Sequence, residues 1–144
     1  MGPTLPVDAV IAAAAIKAKV TPEQARATIA ASLALLKKHA AGPQVEAVFA
    51  ALEGGLALAT SPEAAPKKSG FLGGLMKTAG GASGAVVADA MSMMDRLKKL
   101  GLDRVAVKRL LRSVRAQVQM ATGQDLVGDA LRTVPGVGAM LVDD

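Results

Sequence analysis

Thirty of the 144 residues are alanine, and no stretch alternates β-branched or aromatic residues with polar ones. Alanine is the best helix former, and Leu, Lys, Arg, Gln and Met, which fill most other positions, follow it closely. A half-buried strand would need the period-two alternation that is missing. The chain therefore reads as all-α. Its length suits a single core, and small core side chains let helices approach closely.

Thr21-Pro22-Glu23-Gln24 marks the clearest helix start. It supplies an N-cap hydroxyl, a proline at the first helical position, and Gln24 to complete a capping box. Val20 and Ala25 sit at the staple positions. Ala25, Ile29, Ser32, Leu33 and Leu36 then make one buried stripe, Lys37, Lys38 and His39 lie near the negative end of the helix dipole, and Gly42 is read as the stop. A second helix is expected from Pro43 to Gly54-Gly55, with Val45, Val48, Phe49 and Leu52 inward.

The C-terminal half repeats this grammar. Asp103 is the cap, Val107, Leu110, Leu111, Val114 and Val118 form the stripe, and Gly123 ends the helix. Leu126, Val127, Ala130, Leu131 and Val134 follow on a short partner helix stopped by Pro135-Gly136. The two halves align at an offset of 82 residues: Thr21 matches Asp103, Ile29 matches Leu111, Leu36 matches Val118 and Gly54 matches Gly136. One further helix leads each half. The first runs from Asp8 to Lys19; the second runs from about Gly84 to Leu100 with Val87, Met91, Met94 and Leu97 inward. The expectation is six to seven short helices, with two helical hairpins as a pseudo-repeat. Any two helical hairpins share part of this cap and stripe grammar.

Residues 1–59 form the N-terminal half and 85–144 the basic C-terminal half of what reads as one compact domain. Between them, 60–84 is a Pro- and Gly-rich linker carrying one short helical turn at Phe71, Leu72, Leu75 and Met76. Six of the 15 glycines fall between residues 70 and 85. Gly70/Gly74 and Gly80/Gly84 have the spacing that lets helices touch, although a loop with one docked turn accounts for them as well.

Composition removes whole classes of chemistry. With no Cys, one His and only two aromatic residues, the chain has no disulfide, no thiolate or multi-histidine metal site, no base-stacking platform and no aromatic cage. No catalytic residue, cofactor or metal site is assigned, and no small-molecule substrate is indicated. Lys77-Thr78 resembles a phosphate-binding loop but has Met76 and Phe71 where that loop needs glycine. His39 has no carboxylate at a helical i±3 or i±4 position and is read as a helix-end residue. Asp125 and Asp129 are spaced to share a divalent ion, yet acids at a helix N-terminus need no ligand. Val134-Pro135-Gly136-Val137-Gly138 resembles the turn of a helix-hairpin-helix motif, but too few residues follow for its second helix. No run of about 18 uncharged apolar residues occurs, and no basic residue precedes the Val10–Ile16 run, so a soluble, cytoplasmic setting is expected.

Two features point toward binding. Eight of the 17 basic residues lie between Arg96 and Arg115. Arg104, Lys108, Arg112 and Arg115, with Arg109 beside them, are expected on one solvent face suited to phosphates of nucleic acid or of an acidic membrane. No base-reading side chains interleave with them, so such binding would be independent of sequence. Alternatively, the face keeps an apolar chain in solution. Phe71, Met91, Met93 and Met94 offer adaptable apolar area for a partner helix or a second copy. The leading expectation is a non-enzymatic helical interaction module; polyanion binding is the alternative.

Val20-Thr21-Pro22-Glu23-Gln24-Ala25 with its Leu-rich helix, the Gly-rich centre, Leu100-Gly101-Leu102-Asp103 and the late Val-Pro-Gly-Val-Gly together resemble the small helical bacterial proteins of the VcgC/VcgE kind, and are reminiscent of YidB-type domains. The resemblance spans residues 15–138. It implies a bacterial all-helical fold of two similar parts and carries over no catalytic or binding residue. The unusually basic C-terminal helix departs from that pattern.

Overall fold

A computed structural model describes residues 4–40, 42–60, 88–134 and 141. Among them are seven helices: α1 (Val7–Ala18), α2 (Pro22–His39), α3 (Gly42–Ala51), α4 (Gly55–Ala59), α5 (88–99), α6 (Arg104–Thr122) and α7 (Leu126–Arg132). The fold is all-α, as its composition requires. Two dipeptides, β1 (Leu5–Pro6) and β2 (Leu52–Glu53), pair in parallel with Leu5 opposite Leu52. Phe71, Val87, the GxxxG pairs of 70–85 and the turn from Pro135 to Gly138 lie outside the described residues.

α2 is the centre of the bundle. It packs against α1, α4 and α6, so neighbours cover more than one of its faces. Its expected stripe is buried, but so are Thr28, Ala30, Ala31 and Leu35. Only small side chains on the flanks allow a helix to be enclosed this way. The capping box forms as the sequence requires: Gln24 N–H donates to Thr21 Oγ1 at 3.1 Å, and Thr21 N–H donates to Gln24 Oε1 at 3.0 Å.

α1, the helix that leads the first half, lies across α6 as well as α2. Its core face is Val7, Val10, Ile11, Ala14, Ala15 and Ala18. Gln117 on α6 donates to the Val10 carbonyl at 3.2 Å. The turn that ends α1 recurs 82 residues later. Lys19 and Gly101 both have positive φ, 61° and 93°. Val20 N–H donates to Ala15 O, and Leu102 N–H to Leu97 O, each at 3.0 Å. Thr21 and Asp103 then cap α2 and α6 in the same way. The last member of the aligned set, Gly136, lies outside the described residues.

Three local expectations are corrected. Gly42 does not stop α2; Ala40 does so in extended conformation, and Gly42 opens α3. The second helix does not reach Gly54-Gly55. It ends at Ala51, where Leu52–Glu53 straighten to pair with Leu5–Pro6, and Gly54 at φ 85° turns the chain into the short α4. α5 is rotated by about one residue from the expected setting. Ala90, Met93 and Leu97 are buried, whereas Met91 is 64% exposed. Alanine at position 90 fills an inward site that a ranking by side-chain size passes over. α6 keeps its expected stripe, with all five residues buried.

Candidate interaction surface

The α5 rotation leaves a second stripe, Met91, Met94 and Lys98, one residue on from the core stripe and therefore about 100° round the helix. Met94 is half-buried against the core, while Met91 and Lys98 stand in solvent. The positive-φ turn at Gly101 brings the chain back so that Leu102 is buried and the first residues of α6 face this stripe. A groove of about 710 Å³ lies there, lined by Met91, Ser92, Met94, Asp95 and Lys98 of α5 and by Leu102, Asp103 and Arg104 where α6 begins.

The turn is braced from the other hairpin. Gln24 Nε2 donates to the Leu100 carbonyl at 2.7 Å. A Cβ at Gly101 would stand 3.2 Å from that same nitrogen, and a side chain is disfavoured there in any case by the φ. The carboxylates near the groove are engaged within the chain: Asp95 with Lys99 at 3.5 Å, and Asp103 Oδ1 with the Ala106 amide at 2.8 Å. Lys98 and Arg104 form no ion pair among the described residues.

Of the four residues expected to meet a partner, the structure puts Met91 and Met94 on this surface. Met93 is corrected: it is 2% exposed and belongs to the core, because residue 93 lies on the 90/97 face of α5. Phe71 lies outside the described residues.

The basic face is also smaller than the sequence implied. Arg104, Arg109 and Arg112 are exposed and Lys108 is half-buried. Arg115 is corrected, because it turns to Asp125, donating from Nη2 at 2.8 Å and from Nε at 3.2 Å to Oδ2. Only 20% of the Arg115 side chain and 19% of the Asp125 side chain remain exposed. Burial alone pushes the Asp125 carboxyl up. The Arg115 hydrogen bonds, the Gly128 amide at 3.1 Å and the charges of Arg115 and Arg132 outweigh it and hold the group below the usual carboxylate range. Asp129 pairs with Arg132 at 3.2 Å. Both aspartates of the i,i+4 pair thus face arginine, and among the described residues no group of three His, Asp or Glu is placed to hold a metal ion.

One cluster is absent from any local reading. His39 Nε2 donates to Asp89 Oδ2 at 2.7 Å, and Lys38 Nζ reaches the same oxygen at 2.9 Å. The His39 side chain is 10% exposed. Burial raises the Asp89 carboxyl, but the His39 and Lys38 hydrogen bonds and charges draw it below its ordinary value. Fifty positions separate His39 from Asp89. No helical spacing could have paired them.

Among the described residues, no helix is long and apolar enough to cross a membrane. Comparison of the chain with family models, curated proteins and solved structures finds no match.

Proposed function

We propose that this chain is a non-enzymatic helical interaction module that binds a protein partner or a second copy of itself through the α5–α6 surface. The carrying observation is Met91, a large flexible apolar side chain held 64% exposed in the lining of a groove to which the buried Leu102 also contributes. Such thioether side chains repack around differing apolar partners at little cost. The non-enzymatic part rests on composition and placement together. The single imidazole is tied to Asp89 beside Lys38, and no cysteine is available as nucleophile. The same reading puts the module in a bacterial cytoplasm, in the company of the VcgC/VcgE-like proteins that its caps and turns resemble.

The test is light scattering over a concentration series, together with chemical cross-linking, on the native chain and on Met91→Glu. Self-association or a discrete cross-linked partner that persists at moderate salt and is lost in Met91→Glu is the expected result. A chain that stays monomeric and partnerless, or an association indifferent to Met91, contradicts the reading.

A second reading is sequence-independent polyanion binding. It is favoured by Arg104 and Arg109, exposed on α6 without an ion pair among the described residues. With Arg115 committed to Asp125, Lys108 and Arg112 bring the set to at most four cations. Binding to duplex DNA would then show a slope of log K against log salt no steeper than about −3.6. Retention on neither DNA nor anionic vesicles at low salt removes this reading.

A further inference from the structure

We infer that Met91 is a site of oxidation by hydroperoxides, and that its sulfoxide switches off the α5–α6 surface. The site stands on geometry alone; its consequence for binding rests on the proposed interaction function. α5 carries three methionines within four residues and sorts them into three environments. Met91 is 64% exposed, Met94 is half-buried and Met93 is 2% exposed. The other methionine among the described residues, Met120, is 89% exposed on α6 and does not line the groove. The chain has no cysteine, so a peroxide meets no thiolate that would react first.

Oxidation needs the sulfur lone pair to reach a peroxide oxygen, and susceptibility therefore follows exposure. An S–O bond forms as the O–O bond breaks. The proton on the transferred oxygen passes to the departing one, which leaves as water from hydrogen peroxide or as an alcohol from an organic hydroperoxide. Sulfur loses two electrons and the peroxide gains them. A thiol-dependent reductase reverses the change, removing the oxygen as water while two thiols become a disulfide. The sulfoxide puts a polar, hydrogen-bond-accepting group where a soft apolar one stood. At Met91 that change falls in the lining shared with Met94 and Leu102, where the surface offers its apolar contact. Met93, the methionine of the core, is shielded from it. A peroxide thus alters the surface and leaves the fold in place.

The test treats the full chain with dilute hydrogen peroxide and follows each methionine by peptide mass spectrometry. Met120 and Met91 are expected to gain oxygen about tenfold faster than Met93, which reacts only when the core opens. The urea midpoint should hold while Met93 is intact. Light scattering and cross-linking of the same samples should show association lost on oxidation in the native chain and in Met120→Leu, and kept in Met91→Leu. The inference is overturned if Met91 gains oxygen no faster than Met93. It is overturned equally if Met91 sulfoxide leaves an existing association intact, or if Met91→Leu loses association on oxidation as fully as the native chain. Selective oxidation of Met91 in a chain that never associates upholds the oxidation site and counts against the interaction module alone.

Discussion

Gln24 holds the Leu100 carbonyl at 2.7 Å across 76 positions of sequence, while its own Oε1 caps the Thr21 amide. One side chain thus finishes the start of α2 and fastens the turn between α5 and α6. Gln24→Glu separates the two tasks. Glu still completes a capping box, but a carboxylate cannot donate to Leu100. The variant is expected to lose about 0.5–1.5 kcal/mol, the usual net value of one hydrogen bond. Gln24→Ala should lose about 1–2 kcal/mol, since the Thr21 amide loses its partner in the capping box as well. Urea denaturation of the three proteins checks the order; equal stability of Gln24→Glu and the native chain would show the Leu100 bond to be idle.

Gly128 offers a case in which helix propensity and geometry disagree. In a helix interior, alanine is favoured over glycine by about 1 kcal/mol. Here a Cβ would clash with Asp125 Oδ2 and stand 2.7 Å from Arg115 Nε, which real atoms do not permit. Gly128→Ala must displace the cap of α7 and the part-buried ion pair together. A net loss of about 1–3 kcal/mol is expected, measured by thermal or urea unfolding. A stabilised variant would mean that the pair relocates without cost.

Met93 and Met91 are the same residue two positions apart, with opposite consequences. Met93→Ala empties a core site and is expected to cost about 2–4 kcal/mol. Met91→Ala, at 64% exposure, should stay within about 0.5 kcal/mol. A large loss at Met91 with little at Met93 would place α5 in the rotation that its sequence implies.

Acid should weaken the fold through Asp89 and Asp125. Both carboxyls lie below the ordinary value of 3.8 in the folded chain. The folded state therefore binds fewer protons than the unfolded chain near that pH. The stability these groups supply is full above the unfolded value and is lost as pH falls through the lower folded values. Urea midpoints should hold steady from neutrality down to about pH 5 and decline below about pH 4. Asp125→Asn should make that decline shallower, while lowering stability at neutral pH because Arg115 is left without its carboxylate. An unaltered acid decline in Asp125→Asn would remove the pair from the account.

Much of the helical frame was legible because it is written in local chemistry. The Thr21–Gln24 box, the Asp103 cap, the five-residue stripe of α6 and the glycine stop at Gly123 each follow from residues within one or two turns. What escaped was decided at a distance. The straightening of Leu52–Glu53 depends on Leu5–Pro6, and the short α4 follows from it. Ala90 carries little weight in a pattern ranked by size, because its side chain is a methyl group, and such a pattern favours Met91 in its place. The removal of Arg115 from the basic face depends on Asp125 across the α6–α7 corner, although the ten-residue separation leaves both on neighbouring elements. The groove itself had a trace in sequence, the Met91–Met94 spacing, but not the rotation of α5 that opens it.

The crossing of α1 onto α6 has a consequence for how the two halves belong together. By sequence α1 leads the first half, yet Val10 accepts a hydrogen bond from Gln117 of the second, and Gln24 returns one to Leu100. Each half thus holds a piece of the other, as two hands do in a clasp. A chain opened between residues 61 and 87 should leave two fragments that recover the fold only by finding each other. Their assembly would then depend on concentration, where the intact chain's does not.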